Sequence, residues 1–379
     1  VRSIIHCTSV HPWDDVRIFQ KECVSLKAAG YNVNLLTSTG IPHIHASGVK
    51  IIQVKLPLNR FLRMMLGNIK FTYHVLLNNY DVIHIHDPEL IPMGLISRIF
   101  KNKVILDLHE YLPDQVLSKY WIPKYLRSVI SICTKVLLSI STRFFSGVIT
   151  ADELILDMVS NSKKIAVRNF PILKEFSEIN IESKKRAESY EIRMCYLGAI
   201  SKARGLESMI NLLHELRKDS ECSLVLYGRI HDPEFAKKIE NNDLPLGLSY
   251  GGIVGRNDVA STLNRFDIGL ALYSNYPAYQ NAIHAIKTYE YLLSGVVPVV
   301  PSFAKWKEYW NEKECILFVD SESIQDMKTT IIDACKRDGH LISMVNNGRN
   351  WIYLNSYWES ESNVLFNFYN DLLADKVVV

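Results

Sequence analysis

No Asp-x-Asp triplet, no Cys-x-x-Cys pair and no uninterrupted apolar run of about 20 residues occurs in this chain of 379 residues. The first absence removes the simplest carboxylate pair for clamping a divalent ion across a diphosphate. The second, with seven scattered cysteines and no zinc-finger histidine spacing, argues against a disulfide framework or a finger and for reduced thiols in a cytosolic protein. The third argues against a membrane-spanning helix. Low-complexity tracts and short repeats are also missing. The chain opens at Val1 without a charged-then-apolar leader, so neither a secretory signal nor a transit peptide is read at this start. No basic stripe interleaved with aromatics is present, which argues against nucleic-acid binding.

What is present is a globular composition, 48% apolar and 22% charged, in a chain longer than one core usually serves. The net charge of +3 hides an asymmetry. Residues 1–172 hold 20 Lys and Arg against 12 Asp and Glu, and the remainder 23 against 28. A basic half suits an anionic partner such as a diphosphate or a lipid headgroup. Strand and helix patterns alternate in both halves. Strands are expected around Ile4 to Cys7, Asn32 to Leu36, Asp81 to His86, Val104 to Leu108 and Gly147 to Thr150, then at Arg193 to Leu197, Leu224 to Tyr227, Asp267 to Tyr273 and Val296 to Val300. That alternation predicts two doubly wound α/β domains. The expected division is residues 1–174, a charged linker at 175–191, a second domain at 192–355, and a C-terminal helix at 356–379.

Ligands of open parallel sheets collect beyond the carboxyl ends of the strands. The most informative such stretch runs from His284 to Val300, where a short helix carries Lys287 and Glu290 three residues apart and is closed by Gly295. A carboxylate there can accept bonds from two ribose hydroxyls, and a lysine one turn earlier can meet a phosphate. An ordinary surface Lys-Glu pair is the plainer alternative. Gly198 to Gly205 brings Lys202 and Arg204 to a strand-helix turn, where they could hold a diphosphate. Tyr227-Gly228-Arg229 stands at a strand end, and Tyr250 to Val254, with Ile253, is another glycine turn. In the first half, His84 and His86 alternate on one strand and His109 and Glu110 follow another. No compact carboxylate set joins these histidines in the sequence, so no metal is expected. In the loop Ser9 to Arg17, Asp15 and Arg17 can cap and brace the first helix or contact an acceptor. Two stretches, Leu56 to Tyr80 and Lys119 to Phe145, mix apolar and aromatic residues with Lys and Arg, as an interfacial surface or as helices packed on the sheet would.

The order of Gly198, Lys202, Arg204, Gly228, Lys287, Glu290 and the Gly295 to Pro298 strand entry resembles the family 4 glycosyltransferases, in particular the branch that makes bacterial surface polysaccharide such as O-antigen and capsule. The resemblance implies a GT-B fold, two Rossmann-like doubly wound domains facing a central cleft, with the C-terminal helix at 356–379 crossing back to the first domain. It implies Glu290 at the ribose, Gly198, Gly228, Ile253 and Lys287 around the donor, and Lys202 and Arg204 at the departing diphosphate. His109 would orient the donor, and His11, Asp15, Arg17, His86 and Glu110 would face the acceptor. The activity implied is transfer of a hexose-type sugar, with retention and without a metal or cofactor, from a nucleoside diphosphate (uridine favoured) to a saccharide or polyprenyl-diphosphate-linked saccharide. The protein would be cytoplasmic and peripheral on the anionic inner face of the membrane. One departure is clear: the family's further Glu, eight residues before the ribose ligand, is Ala282 here, with Asn281 and His284 the nearby polar residues. A nucleotide-sugar 2-epimerase of the same fold and an inactive binding subunit are the alternatives.

Overall fold

The computed structural model describes residues 1–119, 122–181, 191–337 and 339–374. The chain forms two units: residues 1–169 with 358–379, and residues 170–357. Of the expected linker at 175–191, residues 182–190 lie outside the described residues. Residues 173–176 form a 3-10 turn of the second unit, with Phe176 buried in its core.

The first unit is built on eight strands: β1 (Ser3–Thr8), β2 (Asn32–Thr37), β3 (His43–Ile44), β4 (Lys50–Gln53), β5 (Val82–Ile85), β6 (Lys103–Leu108), β7 (Gly147–Thr150) and β8 (Lys164–Ala166). Their order is β3-β4-β2-β1-β5-β6-β7-β8, parallel except for the β3-β4 pair. Strands covered on both faces read as continuous apolar runs, and Val82 to Ile85 and Val104 to Leu108 are buried throughout. The first crossover is a π-helical segment, Val16–Cys23, that continues as an α-helical turn, Val24–Ala28. Asp15 caps it, accepting from the backbone N–H groups of Arg17 and Ile18. The C-terminal helix Trp358–Ala374 belongs to this unit. It buries Trp358, Leu365, Phe368, Tyr369 and Leu372, and Phe368 lies so close to Gly147 that a Cβ there would clash.

The second unit holds six strands: β9 (Ile192–Leu197), β10 (Cys222–Tyr227), β11 (Leu248–Tyr250), β12 (Ile268–Leu270), β13 (Val297–Pro301) and β14 (Leu317–Val319). All are parallel, in the order β11-β10-β9-β12-β13-β14. The helix Leu206–Leu216 lays Leu206, Met209, Leu212, Leu213 and Leu216 on the sheet. Strand order reverses between β9 and β12, which is where a doubly wound sheet opens for a ligand.

Candidate functional site

At that reversal the loops after β9, β10 and β11 are tied to one another by backbone. Gly198 N–H donates to the carbonyl of Tyr227 (2.9 Å), Gly228 N–H to that of Gly252 (2.8 Å), and the Tyr250 hydroxyl to that of Gly228 (3.0 Å). Gly198 and Gly228 have φ of 145° and 126°. A Cβ on Gly228 would stand 2.1 Å from the Gly198 carbonyl oxygen, and one on Gly198 would stand 2.5 Å from Lys287 Nζ. Glycine is therefore required at both positions by the backbone angle and by the close approach.

Lys287 and Glu290 are not a surface pair. The helix Ile286–Leu293 is buried on all sides from Lys287 onward, leaving Lys287 7% and Glu290 5% exposed. Lys287 reaches toward the Gly198 turn, donates to the Tyr196 hydroxyl at 3.0 Å and lies 4.2 Å from the centre of that ring. Among the described residues no carboxylate pairs with it. Burial, and then the neighbouring Arg204 charge, hold its ammonium well below the usual lysine range, with Glu290 opposing. Arg204 also hydrogen-bonds Tyr196, whose hydroxyl burial pushes up to about 12. Glu290 is held by Arg256, which pairs as well with Glu175. Although burial works against it, the charges of Glu290 and Glu175 raise the Arg256 guanidinium above its ordinary value.

Of the residues expected at the donor, Gly198, Arg204, Gly228, Lys287 and Glu290 lie in this one region of the second unit. Lys202 does not join them. Its side chain is half exposed and pairs with Glu207 (3.0 Å) and Glu234 (3.3 Å), because the 3-10 turn Lys202–Arg204 points it outward. The cation beside the half-buried Arg204 is instead the buried Lys287. Ile253 is 68% exposed past the end of β11. Ala282 packs against the aromatic core that contains Trp306 and Trp310. The indole N–H groups of those two tryptophans donate to the carbonyls of Tyr279 and Ile283, so aromatic packing fixes this turn.

In the first unit, His11, Asp15, Arg17, His86 and His109 gather at the ends of β1, β5 and β6. His11 stands 3.6 Å from Asp15 and 3.3 Å from Asp87. Burial opposes it, yet the Asp15 hydrogen bond and the Asp87 and Glu110 charges raise the His11 pKa. His109 Nε2 lies 3.0 Å from Asp107 and 3.3 Å from His86 Nδ1 and is partly open, while Glu110 is exposed. Two expectations change here. Arg17 is buried and spends its guanidinium on Asp107 (2.9 and 3.1 Å) and the Val167 carbonyl, so it braces the sheet and does not face an acceptor. His86 is 2% exposed and reaches the surface only through His109.

The histidines do have carboxylates beside them. His6, His84 and His86 enclose Glu22, all fully buried, and Asp107 adjoins His86 and His109. Glu22 and Arg256 escaped sequence reasoning. Glu22 looks like an ordinary helix-surface residue until the π-helical winding turns it inward, and Arg256 sits in an Arg-Asn-Asp turn with no motif.

No protein-family model matches the sequence, and a search of curated proteins finds none that matches. Solved structures are similar over nearly the whole chain. Sucrose-phosphate synthase from Thermosynechococcus elongatus is 14% identical, with 99% of this chain and 100% of that one covered and a TM-score of 0.79. Anabaena HepE, solved in complex with UDP and glucose, is 12% identical, with 98% and 100% covered and a TM-score of 0.71. WaaG, a glycosyltransferase of lipopolysaccharide biosynthesis, is 15% identical, with 95% and 99% covered and a TM-score of 0.69. At such identities the likeness is one of architecture: this chain has the GT-B fold, two parallel-sheet α/β units.

Proposed function

We propose that the chain is a retaining, metal-independent glycosyltransferase that moves a hexose-type sugar from UDP to a saccharide or polyprenyl-diphosphate-linked saccharide in bacterial surface-polysaccharide synthesis. The observation that carries this is Lys287: a buried lysine without a carboxylate partner, beside Arg204 and against a glycine turn at the strand-order reversal. Such a group needs an anion, and a diphosphate at the Gly198 turn would meet both cations. Glu290, fixed by Arg256, is then available to the ribose. Uridine is favoured because the similarly folded HepE was solved with UDP and glucose. In the reaction the sugar C1–diphosphate oxygen bond breaks and the acceptor oxygen bonds C1 on the same face. The acceptor proton passes to the departing diphosphate, whose charge Arg204 and Lys287 neutralise.

Calorimetric titration with UDP tests the reading. A hydrogen bond to a charged group is worth about 1.5–3 kcal/mol, so Glu290→Gln and Lys287→Met should each weaken UDP about ten- to hundredfold. Wild-type affinity in both would end the proposal. Added Mg²⁺ or Mn²⁺ should leave turnover unchanged. Solvent deuterium appearing at the sugar carbon without acceptor would instead favour the 2-epimerase.

The lipid-linked acceptor draws support from the first unit. The helices Arg60–Leu77 and Lys124–Phe144 bury only three residues each and contain no Asp or Glu. Both pack on the helix Ile91–Ile99, and they expose Phe61, Met65, Ile69, Tyr125, Ile132 and Phe144 beside their lysines and arginines. No described helix is long and apolar enough to cross a membrane. An apolar face ringed by cations suits the surface of an anionic bilayer. In flotation the protein should rise with phosphatidylglycerol vesicles, less with phosphatidylcholine, and not as the Phe61→Glu, Ile132→Glu double variant. Failure of the wild type to float with either lipid would remove this part alone.

A further inference from the structure

We propose that His6, Glu22, His84 and His86 form a closed structural zinc site inside the first unit. Register makes the site. β1 and β5 pair in parallel with His6 opposite His84, and the two-residue repeat of a strand puts His86 on the same face as His84. The π-helical crossover covers that face and lowers Glu22 into it. Glu22 Oε2 stands 4.0 Å from His6 Nδ1, 3.8 Å from His84 Nδ1 and 4.0 Å from His86 Nε2. One ligand atom from each of the four residues lies within 4.8 Å of every other. Zinc takes imidazole nitrogen and carboxylate oxygen at about 2.0–2.2 Å, so two such ligands stand roughly 3.4 Å apart at the tetrahedral angle. Separations of up to 4.8 Å have to shorten by as much as about 1.4 Å, and the 2.9 Å hydrogen bond between His6 Nδ1 and His86 Nε2 has to open as both nitrogens turn to the ion.

The polar groups of this chamber are left wanting in a way that a cation answers. Glu22 Oε2, His6 Nε2 and His84 Nε2 are buried without a hydrogen-bond partner among the described residues, while Glu22 Oε1 has the Arg17 guanidinium beside it at 3.2 Å as an ion pair. Groups so placed are costly unless something meets them. The outer partners of a metal-ligating histidine are in place as well. His86 Nδ1 stands 3.3 Å from Asp107 Oδ2, which leaves its Nε2, 4.0 Å from Glu22, to ligate; His84 presents Nδ1 to Glu22 but also to the Tyr369 hydroxyl at 2.7 Å, so it ligates through its partnerless Nε2 once the ring turns. Charge is compatible with this: Glu22 and Asp107 face a single guanidinium, Arg17, so one negative charge remains to draw a cation. Four protein ligands with no open position make a structural site, not a catalytic one. The alternative occupant is a proton on Glu22, whose pKa is driven upward by burial and by Asp107.

The site is sealed, so metal has to enter during folding. Tag-free full-length protein made in zinc-supplemented medium and desalted should carry about one zinc per chain by elemental analysis. Protein refolded with Co²⁺ should show the visible absorption of a tetrahedral cobalt centre. Glu22→Gln and His84→Gln should reduce retained metal to below about a tenth of an equivalent, while His43→Gln, on the exposed strand β3, keeps it. Metal-free refolded wild type should melt more than about 5 °C below the zinc form. Wild type holding less than about a tenth of an equivalent by both routes overturns the proposal and leaves the proton as occupant, and this reading does not depend on the variants folding. Equal metal in wild type and both glutamine variants overturns it too.

Discussion

On the proposed function, Lys287 is the residue whose charge state answers to the donor's diphosphate. Its ammonium sits well below the ordinary lysine range because burial and Arg204 disfavour the charge. A bound diphosphate would raise it again. UDP binding should therefore take up protons wherever the solution pH lies between the free and bound pKa, and affinity should fall as pH rises through the bound value. Titrations at one pH in buffers of different ionisation heat, repeated between about pH 7 and 9, measure the uptake. Lys287→Met should abolish it, and equal uptake by wild type and variant would assign the proton elsewhere. Spacing in the sequence was enough to pick out Gly198, Arg204, Lys287 and Glu290, because strand ends and helix starts place them by rule. It could not tell Lys202 from Arg204, since the direction of each side chain depends on a 3-10 turn that a residue pattern does not encode. Nor could it find the Arg256 that holds Glu290, which lies 34 residues away in the chain.

At the scale of elements, the two loops that matter are constrained in different ways. The Gly198 turn is fixed sterically. Gly198→Ala would press a methyl on Lys287 at a φ that side chains rarely adopt, and it should weaken UDP binding more than tenfold with little change in secondary structure by circular dichroism. Normal binding would show that the turn yields. The His11 to Arg17 loop is fixed electrostatically. Asp15 caps the first crossover and pairs with His11, raising the imidazole and holding its own carboxyl well below the usual range despite burial. A raised histidine stabilises the fold fully below its unfolded pKa, and that contribution fades as pH rises through the folded value. Asp15→Asn keeps a cap and loses the pair, so its stability deficit in urea should be larger near pH 5.5 than near pH 9. A deficit independent of pH would make Asp15 a cap alone. The long elements were legible from their periods, since Lys103–Leu108 and Leu206–Leu216 fall where the pattern puts them. The strands at His43, Lys50, Lys164 and Leu317 are two to four residues long, too short to show a period. The first crossover misled for another reason: its winding is π-helical, and a stripe drawn at 3.6 residues per turn leaves Glu22 outside.

At the scale of the whole molecule, the parallel sheets followed from alternation alone, and so did the two-unit plan. The return of the last helix to the first unit was an expectation of the resemblance. That helix is structural throughout. Tyr369 meets His84, the Leu372 carbonyl accepts from Lys103, and Glu361 pairs with Arg168. Ending the chain at Tyr357 should therefore unfold the first unit and spare the second. Hydrogen exchange would show fast exchange in β5 to β7 with protection kept in β9 to β13, and unchanged protection in β5 to β7 would refute the dependence.

Because residues 1–169 need residues 358–379 to finish their core, vectorial synthesis reverses the usual order of maturation. The later-encoded unit can close as soon as its last strand and helices leave the ribosome. The earlier one waits, its sheet open where Phe368 and Tyr369 belong, until the helix Trp358–Ala374 has emerged, and for that interval the nascent chain depends on whatever shields an unfinished hydrophobic surface.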